Sequence, residues 1–417
     1  VVGFEDDGVT RDYQEGAGLV TVTTPNATIS GLDVDGQRRY ADLPALNGIL
    51  FVNGGGAVKD CHVHGVDDAG GLLDMPPSDL MGGLAIMAVS DLDTDLPPGA
   101  TMPPEDMRYL SVTNTRIENF DAYGIGASGV GDDAHAAIVR IRVTVEDNVV
   151  VGAGETRVHG QWGLIAFRGA VGTFRRNYVS DIIYTGPSWA TEIPAALHAN
   201  FGDDYVVEDN TFERVQHGIH MFRMTGSVSI RGNRIIAVGT DWAPPEGITV
   251  AEDVQADVSE NDVTTDSVST PLMHSQSFGI FVRTYAGSTI VGNTVTVRVM
   301  GPLAGDILGA PDGIATRRGG HLVTGNVITG PGHGASAGVL VAGSHDTITG
   351  NSIAGFDDGI VLYDAPFGYP TEDNTVADNF FSEVGTWILS TAGSGKFIPD
   401  SPPGGCGPYT HIFGCNP

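Results

Sequence analysis

Apolar and polar positions in this chain alternate in short bursts rather than in helical stripes. One unit recurs: glycine, aliphatic, any residue, aliphatic. It reads Gly48-Ile-Leu-Phe, Gly163-Leu-Ile-Ala, Gly218-Ile-His-Met, Gly247-Ile-Thr-Val, Gly279-Ile-Phe-Val, Gly338-Val-Leu-Val and Gly359-Ile-Val-Leu. A period of two marks a strand with one buried face. Between these units lies a second pattern: aliphatic, two residues, asparagine, one residue, aliphatic. It reads Val145-Glu-Asp-Asn148-Val-Val150, Phe174-Arg-Arg-Asn177-Tyr-Val179 and Val207-Glu-Asp-Asn210-Thr-Phe212, and continues at Asn233, Asn261, Asn293, Asn326, Asn351 and Asn379. Successive asparagines stand 29, 33, 23, 28, 32, 33, 25 and 28 residues apart. Leu32, Cys61 and Thr115 fill the same slot in earlier copies. No stretch holds a sustained helical period.

Each repeat therefore holds three short strands joined by turns. One such coil cannot bury its apolar face alone, but a stack of similar coils can. An asparagine repeated at one turn can hydrogen-bond from coil to coil and tolerates left-handed backbone. Cys61 in that slot reads as a packed core residue. The repeat resembles that of the pectate-lyase-like superfamily of right-handed parallel β-helices, over roughly residues 27–390. The resemblance implies an all-β fold, a single-stranded right-handed parallel β-helix (a solenoid) of about 12 rungs with loop insertions. Residues 1–26 then form an N-terminal coil or cap, and 391–417 a capping tail. The superfamily includes pectin and alginate lyases, glycoside hydrolases, epimerases, phage tailspikes and inert surface proteins, so fold does not fix activity.

Composition narrows the partners. The net charge is −30, from 51 acidic and 21 basic residues, and only Lys59 and Lys396 are lysines. Such a surface repels nucleic acid and anionic membranes. No apolar run approaches the ~18 residues of a membrane span, so membrane insertion is not expected. The chain starts at Val1 rather than methionine, which reads as a processed or trimmed start. Cys406 and Cys415 flank a short Gly/Pro-rich segment, a spacing that suits a local disulfide and hence an extracellular or cell-surface location.

Insertions at 181–194, 239–246, 264–277 and 297–312 separate the asparagine strand from the next glycine strand, and carry Tyr184, Trp189, Trp242 and His274. A further block, 67–109, is rich in proline. In the superfamily the corresponding loops wall a groove. Counting from the glycine, positions 2 and 4 should point inward, 3 and 5 outward, and 6 should open the turn. Position 3 then holds His198 (in Ala196-Leu-His-Ala) and His220. Position 5 holds Asn200, Phe222, Arg283 and Arg317, and position 6 holds Arg168, Arg223, Glu252 and Arg318. Arginines in these slots form a positive strip suited to carboxylate or sulfate groups.

This pattern points to β-elimination on an acidic, uronate-containing polysaccharide. His198 or His220 would remove the C5 proton, while Arg223 and Arg283 hold the carboxylate and stabilise the enolate-like charge. Arg168, Asn200, Phe222, Glu252, Arg317 and Arg318 would bind substrate, with Tyr184, Trp189 and Trp242 stacked on sugar faces. Pectate lyases of the superfamily usually bind calcium through aspartates beside this strand. Asp203 and Asp204 are the candidate ligands, or else a solvated turn.

Two other readings stay open. Asp312, His333, Asp357 and Asp358 resemble pieces of a polygalacturonase-like glycoside hydrolase, although the double aspartate follows the Gly-His-Gly stretch and the downstream Arg-Ile-Lys motif is absent. The other is a non-catalytic surface β-helix, an adhesin or filament subunit. His62 and His64 share one strand face, which permits metal binding in principle but also suits a satisfied surface pair. Gly54-Gly55-Gly56 leads into no helix, so phosphate binding has no support.

Overall fold

The computed structural model describes residues 2–3, 11–12, 17–36, 46–66, 83–90, 107–129, 141–156, 160–186, 194–202, 204–240, 243–268, 277–285, 287–300, 311–332, 337–363 and 371–390. Among these there are strands and turns and no helix. The chain forms two compact units, Val1–Gly226 and Ser227–Pro417. Cys406 and Cys415, and with them the expected disulfide, lie outside the described residues.

In the first unit every coil contributes a strand to three parallel ladders. The glycine strands Ala17–Val22, Leu46–Val52, Leu84–Ser90, Tyr123–Gly129, Trp162–Phe167 and Ala195–Asn200 pair in succession, and the last pairs with the start of His217–Arg231. A second ladder runs from Ala27–Ser30 to Tyr205–Glu208. The asparagine strands form the third, six strands from Asp33–Asp35 to Thr211–Val215. Ala17–Val22 already pairs with Leu46–Val52, so the parallel ladder begins before residue 27.

Inward side chains stack into aliphatic columns. Ile49, Ile86, Ile125, Leu164, Leu197 and Ile219 line the first ladder, and Val63, Ile117, Val150, Val179 and Phe212 the third, all at most 1% exposed. Each such side chain contributes roughly 1.5–3 kcal/mol on burial, and β-branched residues suit the pleat. The second unit repeats the plan. Ile248, Ile280, Ile314, Val339 and Ile360 form one column, and Ile235, Val263, Val295, Ile328 and Ile353 another, all fully buried. Its third ladder also has six strands, Arg234–Val238 to Phe380–Ser382. Six and six match the expected dozen coils.

The glycine of the first pattern has a steric cause. A Cβ at Gly163, Gly247 or Gly279 would overlap a methyl of Val179, Val263 or Val295, the inward residue of the asparagine strand in the same coil. The asparagine has an electrostatic one. Asn148 Oδ1 accepts the backbone N–H of Thr115, and its Nδ2 donates to Val112 O and to Asn177 Oδ1. The same bonds link Asn177 to Asn210, and run through Asn261, Asn293, Asn326, Asn351 and Asn379 in the second unit. The left-handed residue is not the asparagine, as its tolerance of such backbone suggested, but the one before it: Asp147 (φ 58°), Arg176 (51°), Asp209 (55°) and Glu260 (56°). Cys61 is buried in its slot, with Sγ 3.2 Å from Lys59 O.

The second unit holds a further polar ladder. Ser288 Oγ accepts from Ala256 N, His321 Nδ1 from Ser288 N, Asp346 Oδ1 from His321 N, and Asn374 Oδ1 from Asp346 N. Four residue types share this one task.

Several insertions begin later than their spacing suggested. The asparagine strands run on to Tyr184, Val268 and Met300, and Asp262–Val268 pairs with Thr294–Met300 along its whole length. Trp189, Trp242 and His274 lie outside the described residues.

Candidate functional site

Register sets the columns that could carry chemistry. In the first unit position 3 runs Leu50, Met87, Gly126, Ile165, His198, His220. This column faces away from the coil interior, yet Leu50, Met87 and Ile165 are 1–2% exposed, packed with Leu84, Ala122 and Tyr123. Gly126 leaves room there, since a Cβ would strike Ile165 and the Met87 sulfur. The column is thus a second apolar core that ends in two imidazoles.

Those imidazoles meet directly. His198 Nδ1 and His220 Nδ1 are 3.1 Å apart, with ring centroids at 4.9 Å. One ring therefore donates through Nδ1 and the other accepts. Phe167 and Trp162 present edges to His198 at 5.1 and 6.3 Å, and Phe222 lies parallel to His220 at 6.4 Å. A third imidazole, His217, stands 5.8 Å from His220. Burial, then the charges of His220 and His217, holds His198 well below its usual pKa. Burial alone lowers His217 to about 4. This niche is built for neutral imidazole.

Arg223 is exposed at a left-handed bend (φ 53°) within the strand His217–Arg231, its guanidinium 5.1 Å from the Phe201 ring and 5.6 Å from Phe222. Arg168 occupies the equivalent position (φ 46°), and its N–H donates to Asn200 Oδ1 at 3.4 Å. Phe222 and Asn200 are half-buried beside the pair.

One expectation needs correction here. Tyr184 is 1% exposed and packs under Gly186, so it supports the fold and cannot stack on a sugar. Asp204 sits exposed with left-handed backbone (φ 57°), and Asp203 lies outside the described residues.

Arg283, Arg317, Arg318 and Glu252 belong to the second unit. Glu252 is not a lone substrate ligand. It accepts from Arg283 Nη2 at 2.9 Å and lies 3.5 Å from Arg318 Nη2. Two guanidiniums around one carboxylate leave the cluster cationic. Arg318 lies 3.8 Å over Tyr285 and Arg317 5.0 Å over Phe281. Tyr285, 60% exposed, is an aromatic surface that the sequence reading missed. Nearby residues Phe278, Phe281, Ala315, Leu340 and Val361 form an outward apolar cluster like that of the first unit.

Of the hydrolase-like residues, Asp312 is 3% exposed and its carboxyl is pushed up to about 8 by burial. Asp357 is exposed, burial raises half-buried Asp358, and His333 lies outside the described residues. Asp312 and Asp358 stand two coils apart, with Ala337 between.

The family described as right handed beta helix region matches residues 105–295. Both units are right-handed parallel β-helices. No curated protein matches the chain. Among solved structures, the β-helix is similar to the crystal structure of Dettilon tailspike protein (gp208). The two are 14% identical over 73% of this chain and 62% of that one, with a TM-score of 0.35. The β-helix thus spans less than two thirds of that tailspike's length.

Proposed function

We propose that this β-helix is an extracellular enzyme acting on an acidic, uronate-containing polysaccharide by β-elimination, with its proton-transfer centre at His198 and His220. The observation that carries the reading is the Nδ1–Nδ1 contact of 3.1 Å within an aromatic niche that keeps imidazole neutral. The ring that donates through Nδ1 keeps its Nε2 lone pair for a substrate proton. Removal of the C5 proton places its electron pair in a C4–C5 double bond. The C4–oxygen bond breaks, and the leaving oxygen takes up a proton. Arg223, mounted on Phe201 and Phe222, pairs with the uronate carboxylate and stabilises charge as the proton departs. The arginine cluster of the second unit supplies anion binding of the same kind, with Tyr285 offering a face to a sugar ring.

The test is a panel of uronate and sulfated polymers, with and without calcium. Ultraviolet absorbance of unsaturated uronate should appear, and His220→Ala should abolish it. New reducing ends without unsaturation would favour the hydrolase reading. Silence in both assays would favour a non-catalytic surface protein, a role consistent with the covered apolar columns. Full activity in His220→Ala would remove this residue from the mechanism.

A further inference from the structure

Far from the imidazole niche, His62 and His64 lie on one face of the strand His62–Val66. Register places Asp33 and Asp35 beside them on the preceding coil, and Arg116 and Glu118 on the following one. The rings stack, with centroids 4.3 Å apart. His62 Nδ1 and His64 Nε2 stand 3.2 and 3.0 Å from the same oxygen, Asp33 Oδ1. The remaining nitrogens are also placed. His62 Nε2 is 3.2 Å from Glu118 Oε1, and His64 Nδ1 is 3.6 Å from Asp35 Oδ1.

Four ring nitrogens thus face carboxylate oxygens. Two neutral imidazoles carry two N–H groups between them, so two nitrogen lone pairs point at oxygen lone pairs. A cation between them resolves that repulsion. We propose that Asp33 Oδ1, His62 Nδ1 and His64 Nε2 bind a divalent transition metal, for which zinc is the natural probe. These atoms all lie within 4.8 Å of one another. Ligands ~2.0–2.1 Å from a tetrahedral ion stand ~3.3 Å apart, close to the observed oxygen–nitrogen distances. Glu118 and Asp35 then accept the outer N–H of His62 and His64. That support fixes the tautomer and strengthens the ligand. Two imidazoles select zinc, copper or nickel over calcium and magnesium. Three carboxylates against Arg116, which pairs with Glu118 at 2.7 Å, leave net negative charge to receive a dication.

The location gives the ion a task. Asp33, His62 and Arg116 directly follow Leu32, Cys61 and Thr115, the slots without an asparagine. A metal held by Asp33 and both histidines ties two coils together where the amide ladder is missing.

Untagged full-length protein, stripped with a chelator and titrated with zinc chloride against a chromophoric chelator, tests this. One zinc should bind per chain and raise the melting temperature. His62→Gln/His64→Gln should lose both effects, Glu118→Gln should weaken binding about 10-fold or more, and His198→Ala should leave it unchanged. Copper(II) in the same site should show imidazole nitrogen couplings by electron paramagnetic resonance. Absence of stoichiometric binding at micromolar zinc, or equal binding by the double variant, overturns the proposal.

Discussion

Replacing Asp312 by asparagine should stabilise the second unit at neutral pH and destabilise it in acid. Asp312 opens the strand Asp312–Gly319 beside Phe278, and is 3% exposed. Its Oδ1 accepts the Ala337 N–H at 3.2 Å, and Oδ2 has no partner among the described residues. Burial raises its pKa from 3.8 to about 8, against weaker opposition from the Ala337 N–H and the Arg317 charge. The unfolded chain therefore releases this proton first. Stability is complete below 3.8 and falls by about 1.4 kcal/mol per pH unit until about 8. From 3.8 to neutral pH the loss is about 4 kcal/mol. Asparagine keeps the shape and the bond from Ala337 but never ionises. Its extra buried N–H costs about 1–3 kcal/mol at every pH.

Asp312→Asn should then be more stable than the parent by about 1–3 kcal/mol at neutral pH. Near pH 4 it should be the less stable protein. A solenoid need not unfold in one step, so the readout is urea-dependent hydrogen exchange at the amides of 312–319. An infrared band of a protonated carboxyl, present at neutral pH and missing in the variant, checks the cause directly. A stability difference that is the same in acid and base, or no such band, would refute the reasoning.

The histidine niche should respond to acid in the opposite sense. Depressed basic groups contribute stability that is complete above 6.5 and lost as pH falls towards 4, for His217 about 3 kcal/mol. Melting temperature against pH should therefore drop over that interval, and His217→Gln should remove part of the slope; an unchanged slope would contradict it. Thr115→Asn should extend the amide ladder by one coil. Its Oδ1 would take the Cys61 N–H, now 3.5 Å from Thr115 Oγ1, and its Nδ2 would reach Asn148 Oδ1. A gain of about 1 kcal/mol is expected by denaturant titration, and a loss would mean the slot is shaped differently.

The coil was legible because each slot meets the same two neighbours and must solve the same problem. Gly163 and Gly247 clear space for a valine, and Asn177 and Asn293 satisfy backbone N–H groups, so those letters recur. Where one task admits several chemistries, no letter recurs. Ser288, His321, Asp346 and Asn374 form one ladder and look unrelated in sequence. The outward column was misjudged for a similar reason. The middle residue of the glycine unit looks variable, but Leu50, Met87, Phe281 and Leu340 are buried by residues distant in the chain. Tyr184 looked like a loop aromatic because its strand runs longer than the repeat implies. His217 stands before the glycine, a place the pattern leaves unspecified, and Glu252 found its arginines only through register.

The two histidine pairs show what the columns decide. His198 and His220 are 22 residues apart and meet because consecutive coils stack in register. Aromatic rings and a third imidazole pack against them, and burial opposes a second proton on His198. His62 and His64 meet within one strand, and the same stacking brings carboxylates from the coils on either side. Every ring nitrogen there faces a carboxylate oxygen, a donor set suited to a metal cation. One side chain serves opposite ends because its surroundings come from residues a full coil away. Exchanging those surroundings should exchange the chemistry: a carboxylate placed at Ile165, in register with His198, should raise the His198 pKa and favour imidazolium over the neutral base.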